Sequence, residues 1–190
     1  MRVIAGTLRR RTLEAPAGLA TRPTSDRLRE TLFNVLAPRM EGARFLDLFA
    51  GSGAVGIEAA SRGADSVVLV ERAAPALKVL RGNLEKLGLL GAVRVEAVSV
   101  AAFLRRVRPE SSAMRFDVAF LDPPYDAADD YATVLGLLGG DAVGLLAEGA
   151  VVIAEHRRKE KLAEMFGLLR RVRVLEQGDA SLSFYEAVRD

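Results

Sequence analysis

The most constraining feature of this sequence is a regular alternation of apolar runs and helical stretches that begins after residue 42. Short runs rich in Val, Leu and Phe are separated by longer segments with helical periodicity, which is the pattern of repeated βαβ units. Such units form an α/β fold, a parallel sheet with helices on both faces. The predicted strands are residues 45–49, 67–70, 93–95, 116–121 and 150–154, and the predicted helices are residues 54–62, 73–87, 99–107 and 129–138.

The carboxyl-terminal part departs from this alternation. A last helix is predicted at residues 157–166, and two alternating runs follow at residues 169–175 and 181–187. The Gln-Gly-Asp sequence at 177–179 between these runs is typical of a hairpin turn. Five parallel strands and this antiparallel hairpin together predict a mostly parallel sheet of seven strands.

Residues 1–42 do not fit the alternation, and we predict that they form an amino-terminal hairpin and helix extension to a domain at residues 43–190. The predicted elements of this extension are a hairpin at residues 2–5 and 9–13 around Gly6, a loop at residues 18–24, and an amphipathic helix that ends at Pro38, with Leu28, Leu32, Val35 and Leu36 on its apolar face.

Composition excludes several classes of function. The chain has no cysteine, which excludes disulfides, cysteine-ligated metals and catalysis by a covalent cysteine adduct. No apolar run approaches the roughly 20 residues of a membrane helix and no signal-type segment opens the chain, so we predict a cytoplasmic protein. The net charge is only +2, but the first thirty residues hold seven arginines against three acidic residues. This local excess is a modest indication of a polyanionic partner.

A glycine-rich loop follows the first predicted strand and opens a helix. It contains Gly51-x-Gly53-x-x-Gly56, and Glu71 ends the second predicted strand. Glycines let the backbone approach a ligand closely, and the acid can accept hydrogen bonds from ribose hydroxyls. A nicotinamide dinucleotide and a nucleoside cofactor would both fit this pattern. The glycines could also serve only to let the helix pack closely on the strand. Asp47, just ahead of the loop, is awkward beside a pyrophosphate but suits the ammonium group of S-adenosylmethionine.

The sequence Asp122-Pro123-Pro124-Tyr125 ends the fourth predicted strand. Prolines lack an N–H group and fix their own φ, so this turn is either a strand terminator or a rigid support for a reactive site. In doubly wound sheets ligands bind outside the carboxyl ends of the strands. We therefore expect this turn and the glycine loop to face each other across one cleft.

The same four residues resemble the Asp/Asn-Pro-Pro-Tyr/Phe signature of methyltransferases that modify exocyclic amino groups of nucleobases. The resemblance implies that Asp122 and the Pro123 carbonyl accept the two amino hydrogens, while Tyr125 stacks on the flipped base. The nitrogen lone pair then points at the sulfonium methyl group. Positioning and the sulfonium leaving group supply the driving force, so no metal is required.

Residues 22–34, RPTSDRLRETLFN, resemble almost residue for residue a stretch of the RsmD family. These bacterial enzymes methylate the 2-amino group of one guanine in small-subunit ribosomal RNA (rRNA), and the resemblance covers nearly the whole chain. It implies a Rossmann-like class I S-adenosylmethionine-dependent methyltransferase fold, with S-adenosyl-L-methionine as cofactor. The expected partner is small-subunit rRNA within an assembling or assembled 30S particle, and the enzyme is expected to act as a monomer.

The resemblance implies three groups of site residues. The guanine would be held by the catalytic residues Asp122, Pro123, Pro124 and Tyr125. The cofactor would be bound by Asp47, Phe49, Ala50, Gly51, Ser52, Gly53, Glu71, Arg72 and Ser99. The amino-terminal extension at residues 1–42 would form a wall of the cleft and contact RNA. Its contact residues would be Arg10, Arg22, Thr24, Asp26 and Arg27, although the last four also fit a plain helix start capped by Thr24. Ser99 departs from the family, which usually has Asp or Asn there to bind the adenine amino group.

Two other functions compete with rRNA guanine methylation. A DNA adenine amino methyltransferase would use the same four residues, but such enzymes usually carry a separate target-recognition region, and only residues 1–42 are spare here. A non-catalytic RNA-binding module could keep the fold. It would need neither the glycine loop nor the Asp-Pro-Pro-Tyr turn, so their presence favours an enzyme.

Overall fold

The computed structural model describes residues 1–15, 25–106, 115–124 and 128–188 of the chain. Three of the predicted site residues, Arg22, Thr24 and Tyr125, lie outside these described residues, as does the predicted loop at residues 18–24. The predictions for them stay predictions.

One mixed sheet forms the centre of the molecule. Its strands are β1 (Arg44–Leu48), β2 (Ser66–Val70), β3 (Val93–Glu96), β4 (Phe116–Leu121), β5 (Leu146–Arg157), β6 (Met165–Phe166), β7 (Leu169–Gln177) and β8 (Ala180–Ala187). They lie in the order β3-β2-β1-β4-β5-β8-β7-β6. The first five strands are parallel to one another and the last three join by antiparallel pairing. The chain order reverses between β1 and β4, which is the switch point where α/β sheets bind ligands.

Helices cover both faces of the sheet, as predicted. They are α1 (Asp26–Leu36), α2 (Ala54–Ser61), α3 (Ala74–Lys86), α4 (Val100–Arg106) and α5 (Ala128–Leu138). Successive side chains of a strand point to opposite faces, so Phe45 joins the core beneath α1 to α3 and Leu46 joins the core beneath α4 and α5. Within the described ranges, every helix falls short of the length and apolar character that a membrane crossing requires.

The predicted helix at residues 157–166 is wrong, and with it the predicted count of seven strands. β5 continues as a strand to Arg157, where it pairs with Ala180 of β8. Met165 then pairs with Arg170 in a short hairpin, which adds an eighth strand to the sheet. Long-range strand pairing has overridden a local composition that favours a helix.

The amino-terminal hairpin is present as a short antiparallel pairing. Arg2 bridges Thr12, and the Val3 N–H group donates to the Arg11 carbonyl at 2.9 Å. Val3 and Leu13 are buried in the same core as α1, which packs this segment against the sheet. The division of the chain at residue 42 stays a prediction.

A buried carboxylate on α2 binds the amino-terminal segment. Glu58 is fully buried, and its two oxygens accept the backbone N–H groups of Ile4 at 2.7 Å and Ala5 at 3.0 Å. Arg62 donates to the same carboxylate at 2.7 Å, and the buried Arg29 of α1 lies 3.8 Å from it. Buried charges of opposite sign compensate one another only in such close arrangements. The position of α1 therefore depends on Glu58.

Ser25 caps α1, where the sequence suggested Thr24. Its Oγ accepts the Leu28 N–H group at 3.1 Å, the usual bond of a helix N-cap. The side chain of Asp26, in the first turn, accepts a hydrogen bond from Arg29 at 2.9 Å and lies 4.0 Å from Arg2. These contacts give Asp26 a role in holding α1.

Candidate active site

A cavity of about 520 Å³ opens at the carboxyl ends of β1, β2 and β4. We call it the cofactor cavity. Eight of the nine predicted cofactor residues line it: Asp47, Phe49, Ala50, Gly51, Ser52, Glu71, Arg72 and Ser99. Gly53 is the N-cap of α2 with φ 80°, and an added Cβ there would lie 3.4 Å from Ile57 and Leu80. Its role is to let the loop turn into the helix.

The glycine loop is held in one conformation by its own hydrogen bonds. Gly51 has φ 55°, and Phe49 has φ 67°, a left-handed conformation that is unfavourable for a residue with a side chain. The Ala50 N–H group donates to the Val70 carbonyl at 3.0 Å, and Gly53 N–H donates to Ala50 at 2.7 Å. A strained residue fixed in a cavity wall indicates that the shape of the loop serves a ligand.

Asp47 is a buried carboxylate in the wall of the cofactor cavity. Its side chain is 2% exposed, and its Oδ2 accepts the Gly56 N–H group at 2.9 Å. Among the described residues, Oδ1 accepts no hydrogen bond. Burial, helped by repulsion from Glu71, raises the pKa of Asp47 to about 7 although the Gly56 hydrogen bond opposes the shift. A bound ammonium group would supply the positive charge that this site lacks.

Glu71 has its orientation fixed by three backbone groups. Its Oε1 accepts the N–H groups of Arg72 at 2.8 Å and Ala73 at 2.7 Å, and its Oε2 accepts that of Gly51 at 2.9 Å. A carboxylate oxygen has two lone pairs, so Oε2 can still accept a hydroxyl hydrogen. The second strand and the glycine loop thus present one acceptor together, as a ribose requires.

Ser99 lines the far side of the cofactor cavity at the start of α4. Its Oγ accepts the Ala102 N–H group at 3.3 Å, which leaves the hydroxyl hydrogen for a ligand. Asp130 and Thr133 of α5 also line the cavity and were missed in the sequence. Their closeness in sequence to Asp-Pro-Pro-Tyr could have predicted them, because the helix that follows this motif begins only a few residues later.

Asp122 stands where two cavities meet. It directly follows β4 and lines the cofactor cavity together with Pro123 and Pro124. Burial raises the pKa of Asp122 well above its ordinary range, and the nearby Glu155 and Asp47 carboxylates add to the shift. Asp122 therefore holds a proton more readily than an ordinary aspartic acid does.

A second cleft of about 840 Å³ adjoins the cofactor cavity at Asp122. We call it the basic-rimmed cleft. Three parts of the chain line it. They are the start of α1 with its cap (Ser25, Arg27, Leu28), the end of β5 with the following turn (Glu155, His156, Arg157, Arg158, Lys159), and the β7–β8 turn with its flanks (Gln177, Gly178, Asp179, Ala180). Of the predicted RNA-binding residues, Arg27 lines this cleft, whereas Arg10 lies on the exposed amino-terminal hairpin. Glu155 was missed in the sequence.

The residues of the cofactor cavity fit S-adenosyl-L-methionine. A buried carboxylate suits the ammonium group, an acceptor at the end of β2 suits the ribose, and an apolar pocket ahead of α4 suits a base. The Asp122–Pro124 turn lies in the same wall, where the methyl group of such a cofactor would be presented.

Comparisons with known proteins agree with this geometry. The family described as conserved hypothetical protein 95 matches residues 1–186. YlbH of Bacillus subtilis, a candidate rRNA methyltransferase, is 37% identical over 98% of both chains. Ribosomal RNA small subunit methyltransferase D of Escherichia coli is 41% identical over 66% of this chain and 60% of that protein.

A solved structure gives the same result for the fold. The candidate methyltransferase yhhF from Escherichia coli superimposes with a TM-score of 0.83 and 32% identity, over 98% of this chain and 97% of that one. S-adenosyl-L-methionine, the predicted cofactor, is confirmed by this fold and family. The chain belongs to the RsmD family and has the class I S-adenosylmethionine-dependent methyltransferase fold that its sequence predicted.

Proposed function

We propose that this protein methylates the exocyclic 2-amino group of a guanine in small-subunit rRNA. The observation that carries the proposal is the position of the Asp122–Pro124 turn, which is part of the wall of the cofactor cavity and adjoins the basic-rimmed cleft through Asp122. A base in the cleft would meet the methyl donor at that point. The relative from Escherichia coli, named as a small-subunit rRNA methyltransferase, supports the choice of RNA.

The chemistry assigned to Asp122 follows from its charge and burial. The cofactor supplies a methyl group bound to a positively charged sulfur. The amino nitrogen of guanine is a poor nucleophile because its lone pair is delocalised into the ring. Asp122 and the Pro123 carbonyl accept its two hydrogens and favour a nitrogen whose lone pair points at the methyl group. Transfer leaves a surplus proton on the nitrogen, and Asp122, with its raised pKa, is suited to receive it.

The charges around the basic-rimmed cleft fit a nucleic acid. Arg27, Arg157 and Lys159 stand on its lining, where phosphates of an RNA strand would pass, while Asp122 and Glu155 lie deeper. Tyr125, outside the described residues, is expected to stack on the base. The cytoplasmic location and the monomeric state stay predictions.

The test is transfer of labelled methyl from S-adenosyl-L-methionine to 30S particles that lack the modification, followed by digestion to nucleosides and mass identification. We expect 2-methylguanosine at one site. Asp122→Ala should lower the rate at least ~100-fold while the protein still binds the cofactor. The matched control is Asp65→Ala, which removes an exposed carboxylate remote from both cavities. Methylated adenine in DNA would instead establish the DNA enzyme, and cofactor-independent RNA binding without transfer would establish the binding module.

We also propose that the substrate is the protein-containing particle, since residues 1–42 offer only a small basic surface. Protein-free rRNA should be methylated at least ~10-fold more slowly than the particle at equal concentration, because few phosphate contacts hold it. Equal rates would refute this proposal and leave the assigned chemistry untouched.

A further inference from the structure

We propose that Glu155 selects guanine by accepting the hydrogen bond of the N1–H group of the target base. The inference rests on the proposed function, because it assumes that the base enters the basic-rimmed cleft beside Asp122. It adds a specificity-determining residue that neither the Asp-Pro-Pro-Tyr turn nor the glycine loop supplies.

Glu155 lies beside Asp122 because of the strand register. Leu121 of β4 pairs with Ala154 of the parallel neighbour β5, so the next residues of both strands stand at the same level. Neighbouring strands are about 4.8 Å apart, and registered residues point to the same face. Both carboxylates therefore line the same cleft, on the face where Leu28 of α1 also lines it.

The position of Glu155 is rigid. It is 7% exposed and sits within β5, where it pairs with Leu182 of the antiparallel neighbour β8. Its carbonyl oxygen accepts the Tyr131 hydroxyl at 2.7 Å. The next residue, His156, has its Nε2 at 2.8 Å from the Ser183 hydroxyl. A recognition residue on a paired central strand can hold its acceptor where a base edge requires it.

The two carboxylates give the floor of the cleft a charge that discriminates between bases. Burial raises the pKa of Asp122, and repulsion from Glu155 raises it further, so a hydrogen-bond donor on a ligand would favour the ionised form of Asp122. Guanine presents three hydrogens on one edge, two on the 2-amino group and one on N1. Adenine and cytosine present an unprotonated ring nitrogen instead, which a carboxylate repels. Asp122 and the Pro123 carbonyl take the amino hydrogens, and Glu155 takes the one on N1.

The experiment compares guanine with 2-aminopurine at the target position. 2-Aminopurine keeps the 2-amino group but carries no hydrogen on N1. Small-subunit particles are reconstituted with rRNA that contains either base in a synthetic segment, and single-turnover methylation is measured. The wild-type protein should prefer guanine at least ~100-fold, because a site built for a donor rejects an analogue that lacks it.

The decisive variant is Glu155→Gln. Its amide N–H group can donate to the N1 atom of 2-aminopurine, so that rate should rise, while the guanine rate falls ~10–100-fold. Glu160→Gln makes the same chemical change five residues away, outside the lining of both cavities, and should leave the preference for guanine unchanged. Affinity for S-adenosylhomocysteine, measured in parallel, shows that each variant is folded.

The experiment distinguishes failure of the proposed function from failure of the role assigned to Glu155. If the wild-type protein forms no 2-methylguanosine, the proposed function fails. If it forms 2-methylguanosine but methylates 2-aminopurine as fast as guanine, the role of Glu155 is refuted, whether or not the variant folds. The same conclusion follows if Glu155→Gln lowers both rates in equal proportion.

Discussion

The cofactor cavity and the basic-rimmed cleft meet at Asp122, but the surroundings of their carboxylates differ. In the cofactor cavity Glu71 accepts three backbone N–H groups and Asp47 accepts one. In the basic-rimmed cleft Asp122 and Glu155 stand side by side, and repulsion from Glu155 adds to the effect of burial in raising the pKa of Asp122. The first site is preorganised by backbone hydrogen bonds, whereas two neighbouring carboxylates make the second site favourable for a ligand that is rich in hydrogen-bond donors.

This contrast shows how one fold can hold a constant cofactor and a variable target. The acceptors predicted for the ammonium and ribose groups lie in two short segments, at the ends of β1 and β2, whose backbone conformation is fixed by nearby hydrogen bonds. The basic-rimmed cleft combines α1, the end of β5 and the β7–β8 turn, which are remote in sequence. Changes in those remote segments can alter the target without disturbing the cofactor.

Among changes that test this difference between the two cavities, Asp47→Asn is expected to have the largest effect. Loss of the charge that faces the ammonium group should weaken S-adenosylhomocysteine binding ~100-fold, as measured by calorimetry. The same change should increase the free energy of unfolding at pH 8 by about 1–2 kcal/mol. The pKa of Asp47 is raised from 3.8 to about 7, so between these values the native protein keeps a proton that the unfolded chain releases. Above pH 7 the buried carboxylate is ionised and lowers the free energy of unfolding, and Asp47→Asn removes that cost. Weaker binding with lower stability would contradict this account.

A smaller effect, confined to the basic-rimmed cleft, is expected from the triple change Arg157→Gln, Arg158→Gln and Lys159→Gln. Affinity for the rRNA particle should fall ~10–30-fold, and the slope of log affinity against log salt should decrease by about 2. Cofactor affinity should stay the same. The control is Lys78→Gln, Arg81→Gln and Lys86→Gln on α3, which removes the same charge outside both cavities. If both triple variants lost the same affinity for the rRNA particle, the basic-rimmed cleft would have no special role in RNA binding.

The pH dependence of cofactor binding gives a further, comparable test. The pKa of Asp47 is about 7 in the protein without ligand, and the ammonium group binds the ionised form. Affinity for S-adenosylhomocysteine should be nearly constant above pH 7.5 and fall up to about tenfold per pH unit below 7. In Asp47→Asn this fall should disappear. A wild-type profile that is flat between pH 5.5 and 7 would show that Asp47 does not bind the ammonium group.

The smallest effect is expected at Ser99. Ser99→Ala should weaken S-adenosylhomocysteine binding only ~2–5-fold, since one hydroxyl hydrogen bond is lost. Ser99→Asn should tighten it, because the longer side chain reaches the adenine amino group and still caps α4. If neither variant changes the affinity, the adenine is held by the backbone or by the missed residues Asp130 and Thr133.

Secondary structure was predicted more accurately for residues 54–138 than for residues 157–166. All four helices predicted between residues 54 and 138 are present within one residue of their predicted bounds, as far as the described residues extend. Patterns within and next to each segment predict these helices. The segment at residues 157–166 was predicted as a helix and is partly strand, since pairing with the remote Ala180 and Arg170 decides it. A sequence window cannot contain that information.

The sequence by itself determined the parts of this protein that depend on neighbours along the chain: the βαβ alternation, the glycine loop with Asp47 and Glu71, and the proline turn after β4. Each follows from backbone restrictions or side-chain chemistry within a few residues. Only the tertiary structure decided that Glu155 stands beside Asp122 and that Glu58 holds the amino-terminal segment. Strand register and burial create those neighbours, and both depend on contacts between residues far apart in sequence.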